Sequence, residues 1–508
     1  MSASASLYRA CAIAAVIVAA SAQLAVATDY YLDPAGKGGF GDGTNTFTTI
    51  ATALGSSGVP AGSSAGTPNR LLIYPGTYNV GTTSLSYSKA NVALIGTTGN
   101  ADDVVITSTL DSSYNPGSGA LGTTGSATLQ LKGSNVSAAN VTFANSTDTP
   151  YIVSTGHVAV SPTGSYTGGN AQTSSAPAVA LLVQGDGDAF TNVKVLGYQD
   201  SLYVKGGRAY FSNSTISGDN DFIFANGTVV FDHSTANIDG DHAGGAVTAA
   251  STDKRTSNGF VFLNSTITGN SVHGNPVIDS QNAANASGPA AGTMYLGRPW
   301  GWQQTGGDAA VSFINTKMTS AIKSVGWLNW NSNELNAANG KNGGNPAEDT
   351  RYGEYGSTDL LGNPIDTTGR VSWSHQFTAS QAAAYSLSDI FSPEATYPWY
   401  GQGYPSTDAA TPGTGSPNPT DPKYSWPAFW GDRNSNNDTA NSIVSATYPT
   451  PGNPTSYSDP SWAAGTGWDP NNQLAAAVPE PASATLLVVA GSIVLTSRRR
   501  RRAVLAPE

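Results

Sequence analysis

The sequence predicts an all-β protein, a right-handed parallel β-helix wound as a single-stranded solenoid. Two observations point there. A phrase recurs along the chain: FTNVKVLG from Phe190, FSNSTISG from Phe211, FDHSTANI from Phe231, FLNSTITG from Phe262 and FINTKMTS from Phe313. Phe190, Phe211 and Phe231 follow one another at a short, nearly constant interval, and the wider gaps before Phe262 and Phe313 leave room for loops. Apolar residues also alternate within these short runs, as in half-buried strands. One such coil cannot bury its own apolar face, but stacked coils make a continuous core. A β-sandwich is the competing architecture, and self-similarity at this short period decides against it.

Composition agrees. Charged residues are 11% of the chain, with 58 glycines and 29 prolines. This suits an extracellular β protein rich in turns. Residues 28–497 carry 17 basic and 33 acidic side chains, because six of the basic ones are Arg9 and Arg498 to Arg502. No basic stripe is available, so nucleic acid is excluded as a partner. A polyanionic substrate must be met locally, in a cleft whose charge differs from the average.

Taken in order, residues 1–27 read as a signal peptide. Arg9 precedes the apolar run Ala10 to Ala20, and Ala25-Val26-Ala27 forms a small-residue cleavage site. The alternative is an N-terminal anchor, for which the run is short. Cys11, the single cysteine, lies in this segment, so the mature chain has no disulfide. Residues 28–400 form the β-helix domain. An earlier variant of the phrase runs from Val136 to Phe143. The asparagines of the Asn-Ser-Thr phrases match the glycosylation acceptor pattern, but corners or stacked ladders suit them better.

Residues 401–477 are rich in Pro, Gly, Ser and Asn yet carry Trp426, Phe429, Trp430, Trp462 and Trp468. So many aromatics in a linker are unusual. The segment reads as a partly ordered extension on the helix flank, ending in a spacer. Residues 478–502 follow with Pro479-Glu480-Pro481, an apolar stretch from Ala482 to Thr496, and five arginines. The stretch is shorter than the ~20 residues that span a bilayer comfortably. The tripartite order resembles the PEP-CTERM sorting signal of Gram-negative bacteria. It implies export, transient anchoring at the inner membrane and cleavage near Pro479, with sorting machinery as partner. A plain tail anchor is the alternative. The mature protein is expected secreted or at the cell surface, as a monomer.

Four stretches carry the chemistry: Gly197 to Tyr203 (GYQDSLY), Gly218 to Phe224 (GDNDFIF), Leu296 to Trp300 (LGRPW) and Gly326 to Trp330 (GWLNW). Asp200 and Asp221 are separated by the same interval as Phe190 and Phe211, each just before an apolar run. Two carboxylates, an amide and an arginine suffice for ester hydrolysis without serine, histidine or metal. One carboxylate attacks the carbonyl, the other moves protons, the amide holds the oxyanion, and the arginine keeps the nucleophile ionised. Either aspartate alone is more often a turn residue. The five histidines (His157, His233, His242, His273 and His375) show no metal-ligand spacing, so neither metal nor cofactor is expected.

These motifs resemble those of the pectin methylesterases. Phe47 to Ile50 (FTTI), Ile73 to Tyr78 (IYPGTY), Asn91 to Gly96 (NVALIG), Ser126 to Thr128 and Tyr352 to Tyr355 (YGEY) fit as well, so the likeness covers about residues 29–392. The resemblance implies hydrolysis of galacturonate methyl esters in pectin, giving pectate and methanol. It implies Asp221 as nucleophile and Asp200 as acid, then base. Gln199 becomes an oxyanion donor, and Arg298 the partner of Asp221. Trp300, Tyr203 and Phe224 then line the sugar subsites. Trp327 and Trp330 are expected in the scaffold or cleft wall, and Asp219 in solvent.

The chain departs from the family in places. Pro177 stands where a second oxyanion glutamine is expected, and proline donates nothing. Gln172 is a candidate substitute. Asn220 replaces an apolar residue before the nucleophile, and Ala225 replaces a glycine. These departures keep open a weakly active or non-catalytic carbohydrate-binding β-helix, or an esterase for another acyl substrate. Retention of both aspartates and the arginine favours the enzyme.

Overall fold

The structure, a computed structural model, describes residues 27–34, 45–117, 119–147, 177–239, 244–252, 258–269, 289–300, 309–330, 350–391 and 468–478. The chain winds through three parallel sheets of twelve, nine and seven strands among these residues. Each full coil lays one strand in each sheet. One coil runs Asp188–Thr191, Lys194–Leu196 and Leu202–Val204; the next runs Arg208–Ser212, Thr215–Gly218 and Ile223–Ala225. Successive coils pair parallel in every sheet, so the architecture is the β-helix that the recurring phrase predicts.

The recurring phenylalanines explain the stacking. Phe190, Phe211, Phe231, Phe262 and Phe313 are register partners in the twelve-stranded sheet. Their rings stack at centroid separations of 4.4, 5.4, 4.6 and 4.6 Å. All five are buried within the barrel. In the earlier coil the register partner of Phe190 is Ala138, so Phe143 lies outside this column and pairs with Val195 in the nine-stranded sheet.

Two residues after each phenylalanine the chain must turn sharply into the next sheet. Asn192, Asn213, His233, Asn264 and Asn315 all take left-handed backbone there, with φ between 48° and 52°. Asparagine enters this region at lower cost than other side chains. The amides also bond along the stack: Asn192 Nδ2 donates to Asn140 Oδ1 at 2.8 Å, and Asn315 Nδ2 to Asn264 Oδ1 at 3.4 Å. The serines that follow make a second ladder, in which Ser214, Ser234 and Ser265 Oγ accept from Val193, Ser214 and Ser234 N–H.

The outer face of the twelve-stranded sheet is apolar at Ala189, Tyr210, Val230, Val261 and Ile314, and C-terminal residues cover it. Two short helices, Ala379–Ala382 and Leu387–Ile390, pack there. Residues 468–477 of the extension dock beside them. The helix Pro470–Ala477 is capped by Asp469 and starts with proline at its first position, a favourable start signal. Gln473 Nε2 donates to Ser137 Oγ at 3.1 Å, and Trp468 packs on Phe391 at 4.6 Å. Among the described residues no helix is long and apolar enough to cross a membrane. Of the expected signal peptide, residues 1–27, all but Ala27 lies outside the described residues, and of the expected sorting signal, residues 478–502, all but Val478 does.

Candidate active site

The seven-stranded sheet carries the chemistry-bearing residues. Leu202 pairs with Ile223 and Tyr203 with Phe224, so the preceding Asp200 and Asp221 fall on adjacent coils. Both aspartates have left-handed backbone, φ 64° and 51°. That corner breaks the alternation of a strand, which would otherwise send neighbouring side chains to opposite faces. Gln199 and Asn220 form a parallel bridge just before the two corners. Asp200 N–H donates to Asn220 O at 3.2 Å, and Asp221 N–H to Ala246 O at 2.7 Å. The backbone at both corners is thereby held on the next coil.

Arg298 arrives at the end of the strand Tyr295–Gly297, where Gly297 pairs with Thr248. The backbone stays in register through Pro299, with Arg298 N–H on Thr248 O and Trp300 N–H on Ala250 O. Arg298 Nε donates to Asp221 Oδ1 at 2.8 Å, and Nη2 bonds Oδ2. The fork is the geometry in which guanidinium matches carboxylate best. Its outer side is covered by Trp330, whose ring lies 4.3 Å from the guanidinium carbon. Trp330 therefore belongs to the cleft wall and steadies the arginine. Trp327 belongs to the core, buried and stacked on Tyr352 at 4.3 Å.

Asp200 and Asp221 are both buried, at 8% and 5% exposure. Burial, then the neighbouring Asp221 charge, push the Asp200 carboxyl well above the usual carboxylate range, while Arg298 pulls it back. The two carboxyls thus differ in their surroundings: Asp221 is bound by arginine, and Asp200 is biased toward its protonated form. Asp219, expected in solvent, is buried at 2% exposure. The parallel ladder explains this: Asp219 N–H bonds Tyr198 O within the stack, so the residue is interior to a coil.

Beside the carboxylates runs an aromatic row. Tyr203 and Phe224 lie 4.3 Å apart, and Trp300 meets Phe224 edge-on at 5.7 Å and 70°. Tyr203 and Phe224 are largely covered, while Trp300 and Trp330 are only partly so. Flat apolar rings of this kind suit the C–H faces of sugars. Ala225, next in the strand, has φ 90°, a conformation natural to glycine. Asn220 enters the site in a way the motif does not announce: its Nδ2 lies 3.4 Å from Asp221 Oδ2. The signal was present as a polar residue in an apolar place. Pro177 offers only its carbonyl, which accepts from Ser112 N–H at 2.8 Å, and Gln172 lies outside the described residues. Among the described residues no three His, Cys, Asp or Glu side chains converge on a point a metal could fill.

Comparisons with known proteins agree with this geometry. Residues 152–392 match the family model described as Pectinesterase. The chain is 32% identical over 392 residues to Pectinesterase A of Dickeya chrysanthemi, covering 74% of this chain and 94% of that one. It is 29% identical over 279 residues to Pectinesterase 31 of Arabidopsis thaliana, covering 55% of this chain and 68% of that one. Among solved structures it resembles the pectin methylesterase from Erwinia chrysanthemi, with a TM-score of 0.51 and 29% identity over 72% of this chain and 96% of that one. It also resembles a pectin methylesterase in complex with a hexasaccharide, with a TM-score of 0.52 and 28% identity over 72% of this chain and 97% of that one.

Proposed function

The chain belongs to the pectinesterase family, and from that premise we propose that Asp221 is the nucleophile that opens methyl esters in its groove. The protein is a carboxylic ester hydrolase that removes methyl groups from pectin. One observation carries the assignment of roles: Arg298 forks Asp221, while burial and the Asp221 charge raise the pKa of the neighbouring Asp200.

The steps follow from that difference between the two carboxyls. An Asp221 oxygen bonds to the ester carbonyl carbon, and the C=O electron pair moves onto oxygen. Gln199 donates to that oxyanion. The C=O bond re-forms, the C–OCH3 bond breaks, and the methoxide oxygen takes the proton of Asp200 and leaves as methanol. Asp200, now anionic, takes a proton from water as its oxygen attacks the acyl carbon. The acyl–Asp221 bond breaks, releasing a galacturonate carboxyl and restoring the Asp221 carboxylate. Trp300 packs against the sugar rings, with Tyr203 and Phe224 lining the subsite beneath it.

The deciding experiment is methanol release from esterified pectin by Asp221→Asn. An amide is a poor nucleophile, so turnover should fall by several orders of magnitude with the β-rich circular dichroism retained. Turnover like that of the unmodified chain removes Asp221 from the role.

The two ends support an exported, processed protein. The small-residue site at Ala27 and the Pro479-to-Arg502 pattern favour loss of both ends in a surface or secreted form. Intact mass of the protein from its host should lack both segments; a mature form that keeps Arg498 to Arg502 refutes the sorting signal.

A further inference from the structure

An oxyanion forms on the carbonyl oxygen only as the nucleophile bonds to carbon, so its donors must stand beside the attacking atom. Gln199 is one such donor on the reading of Asp221 as nucleophile. Pro177, on the preceding coil, has neither N–H nor side-chain donor. Ala178 N–H donates to Gln199 O at 3.1 Å, so the gap at Pro177 flanks Gln199 on one side.

A second amide stands on the other side. Gln199 and Asn220 are partners across a parallel bridge, and bridge partners project to the same face. Asn220 Nδ2 is 3.4 Å from Asp221 Oδ2. Its orientation is fixed by a second contact, in which Ala246 N–H donates to Asn220 Oδ1 at 3.3 Å. A backbone N–H only donates, so the amide oxygen faces Ala246 and the NH2 faces the carboxylate. A contact of 3.4 Å is long for a bond to an anion, and Arg298 already binds both Asp221 oxygens. The amide NH2 is thus weakly engaged at rest beside the Asp221 carboxylate, and with Oδ1 held on Ala246 N–H its hydrogens can serve a stronger acceptor in the groove without the amide turning. The side chain is also partly exposed, hence open to a ligand in the groove.

We propose that Asn220 is a catalytic residue whose Nδ2–H binds the oxyanion together with the Gln199 amide, in place of the donor that Pro177 lacks. This rests on the nucleophile reading above. As the Asp221–carbon bond forms and the carbonyl electron pair moves to oxygen, Asn220 Nδ2–H and Gln199 share the new charge. Both let go when the C=O bond re-forms and methanol departs with the Asp200 proton. No proton is transferred to or from either amide.

The test measures methanol release from methyl-esterified pectin with the full chain. Asn220→Val should lower kcat on the order of 100-fold with KM changed little, because the oxyanion exists only near the transition state. Asn220→Ser keeps an oxygen to face the Ala246 N–H but removes the amide, and it should lose a similar factor. This variant guards against a fold defect in the valine protein, and thermal unfolding of each monitors it. Pro177→Gln should do little in the unmodified chain and restore ~10-fold or more in the Asn220→Val background, since the two donors would be alternatives. Unchanged kcat in the serine variant overturns the proposal. So does a Pro177→Gln effect that is the same factor in both backgrounds, no effect included. Asp221→Asn in the same assay separates the two failures. If it still turns over, the nucleophile reading falls; if it is dead beside a fully active Asn220→Ser, only the role of Asn220 falls.

Discussion

Arg298 binds both carboxylate oxygens of Asp221 across 77 residues of sequence, while its outer face packs on the ring of Trp330. The guanidinium is therefore fixed from two sides, and one of its contacts is to a buried anion. Arg298→Lys keeps the charge but replaces the planar fork by a point charge and gives up the flat contact with Trp330. Breaking a buried pair costs about 3–5 kcal/mol, and a lysine retains part of that. The expected result is a fall in kcat on the order of 100-fold, or ~3 kcal/mol of barrier, measured as methanol release. Unimpaired turnover in this variant removes Arg298 from the active constellation.

The fold was legible because its unit is short and repeated. Phe190, Phe211 and Phe231 fall at one coil spacing, and a parallel stack turns that period directly into a column of rings. The pairing of Asp200, Asp221 and Arg298 was legible from their motifs. What escaped was set by long-range register. Asp219 reads as a solvated acid in a polar string, but its coil is sandwiched between two others, and burial follows from neighbours a full coil away in sequence. Asn220 shows only as an odd residue; that its amide is pinned by Ala246 follows from a third coil. The helix Pro470–Ala477 was hidden within a low-complexity segment. It is held by contacts to Val136 and Ser137, 337 and 336 residues earlier in the chain.

Asn145 is the hub that fixes the backbone near Pro177. It is fully buried, and its Nδ2 contacts Leu110 O at 2.8 Å, Ser126 O at 3.1 Å and Val179 O at 3.1 Å. Val179 O also accepts from Thr128 N–H at 2.9 Å, but Asn145→Leu leaves Leu110 O and Ser126 O without this donor and Thr147 N–H without the Asn145 Oδ1 acceptor at 3.1 Å. Each buried unsatisfied group costs about 1–3 kcal/mol, so a loss of about 3 kcal/mol or more is expected in denaturant unfolding. A change below about 1 kcal/mol would show that these three groups find other partners.

Ala225 sits at φ 90° in the strand that carries Phe224. Left-handed backbone costs an alanine roughly 1–2 kcal/mol. Glycine relieves this, but it gives up ~0.5–1 kcal/mol of chain entropy and ~0.8 kcal/mol of methyl burial. The terms cancel closely, so Ala225→Gly should leave stability unchanged within about 0.5 kcal/mol. The register neighbour of Phe224 on the next coil, Ala249, is equally buried and has no positive φ. Ala249→Gly has no strain to release and should cost about 1.5 kcal/mol. Equal losses in the two variants would mean that the Ala225 backbone carries no strain.

Asp200 ties activity and stability to pH through one proton. Burial and the Asp221 charge raise its pKa well above the ordinary value in the folded chain. In the unfolded chain it reverts to ~3.9. Between those two values the folded state holds a proton that the unfolded state has lost. The contribution of Asp200 to stability is therefore complete below about pH 4 and is lost as pH rises through the folded pKa. Asp200→Asn is neutral in both states and lacks this dependence. Its melting temperature should match the unmodified chain near pH 4 and exceed it increasingly up to the folded pKa, with a constant gap beyond. In the proposed mechanism the same proton goes to methanol, so kcat should fall as pH rises through that pKa, and Asp200→Asn should have little turnover at any pH. Melting curves of the two proteins that run parallel from pH 4 to 9 would show that Asp200 does not hold its proton, and the acid role would then need another residue.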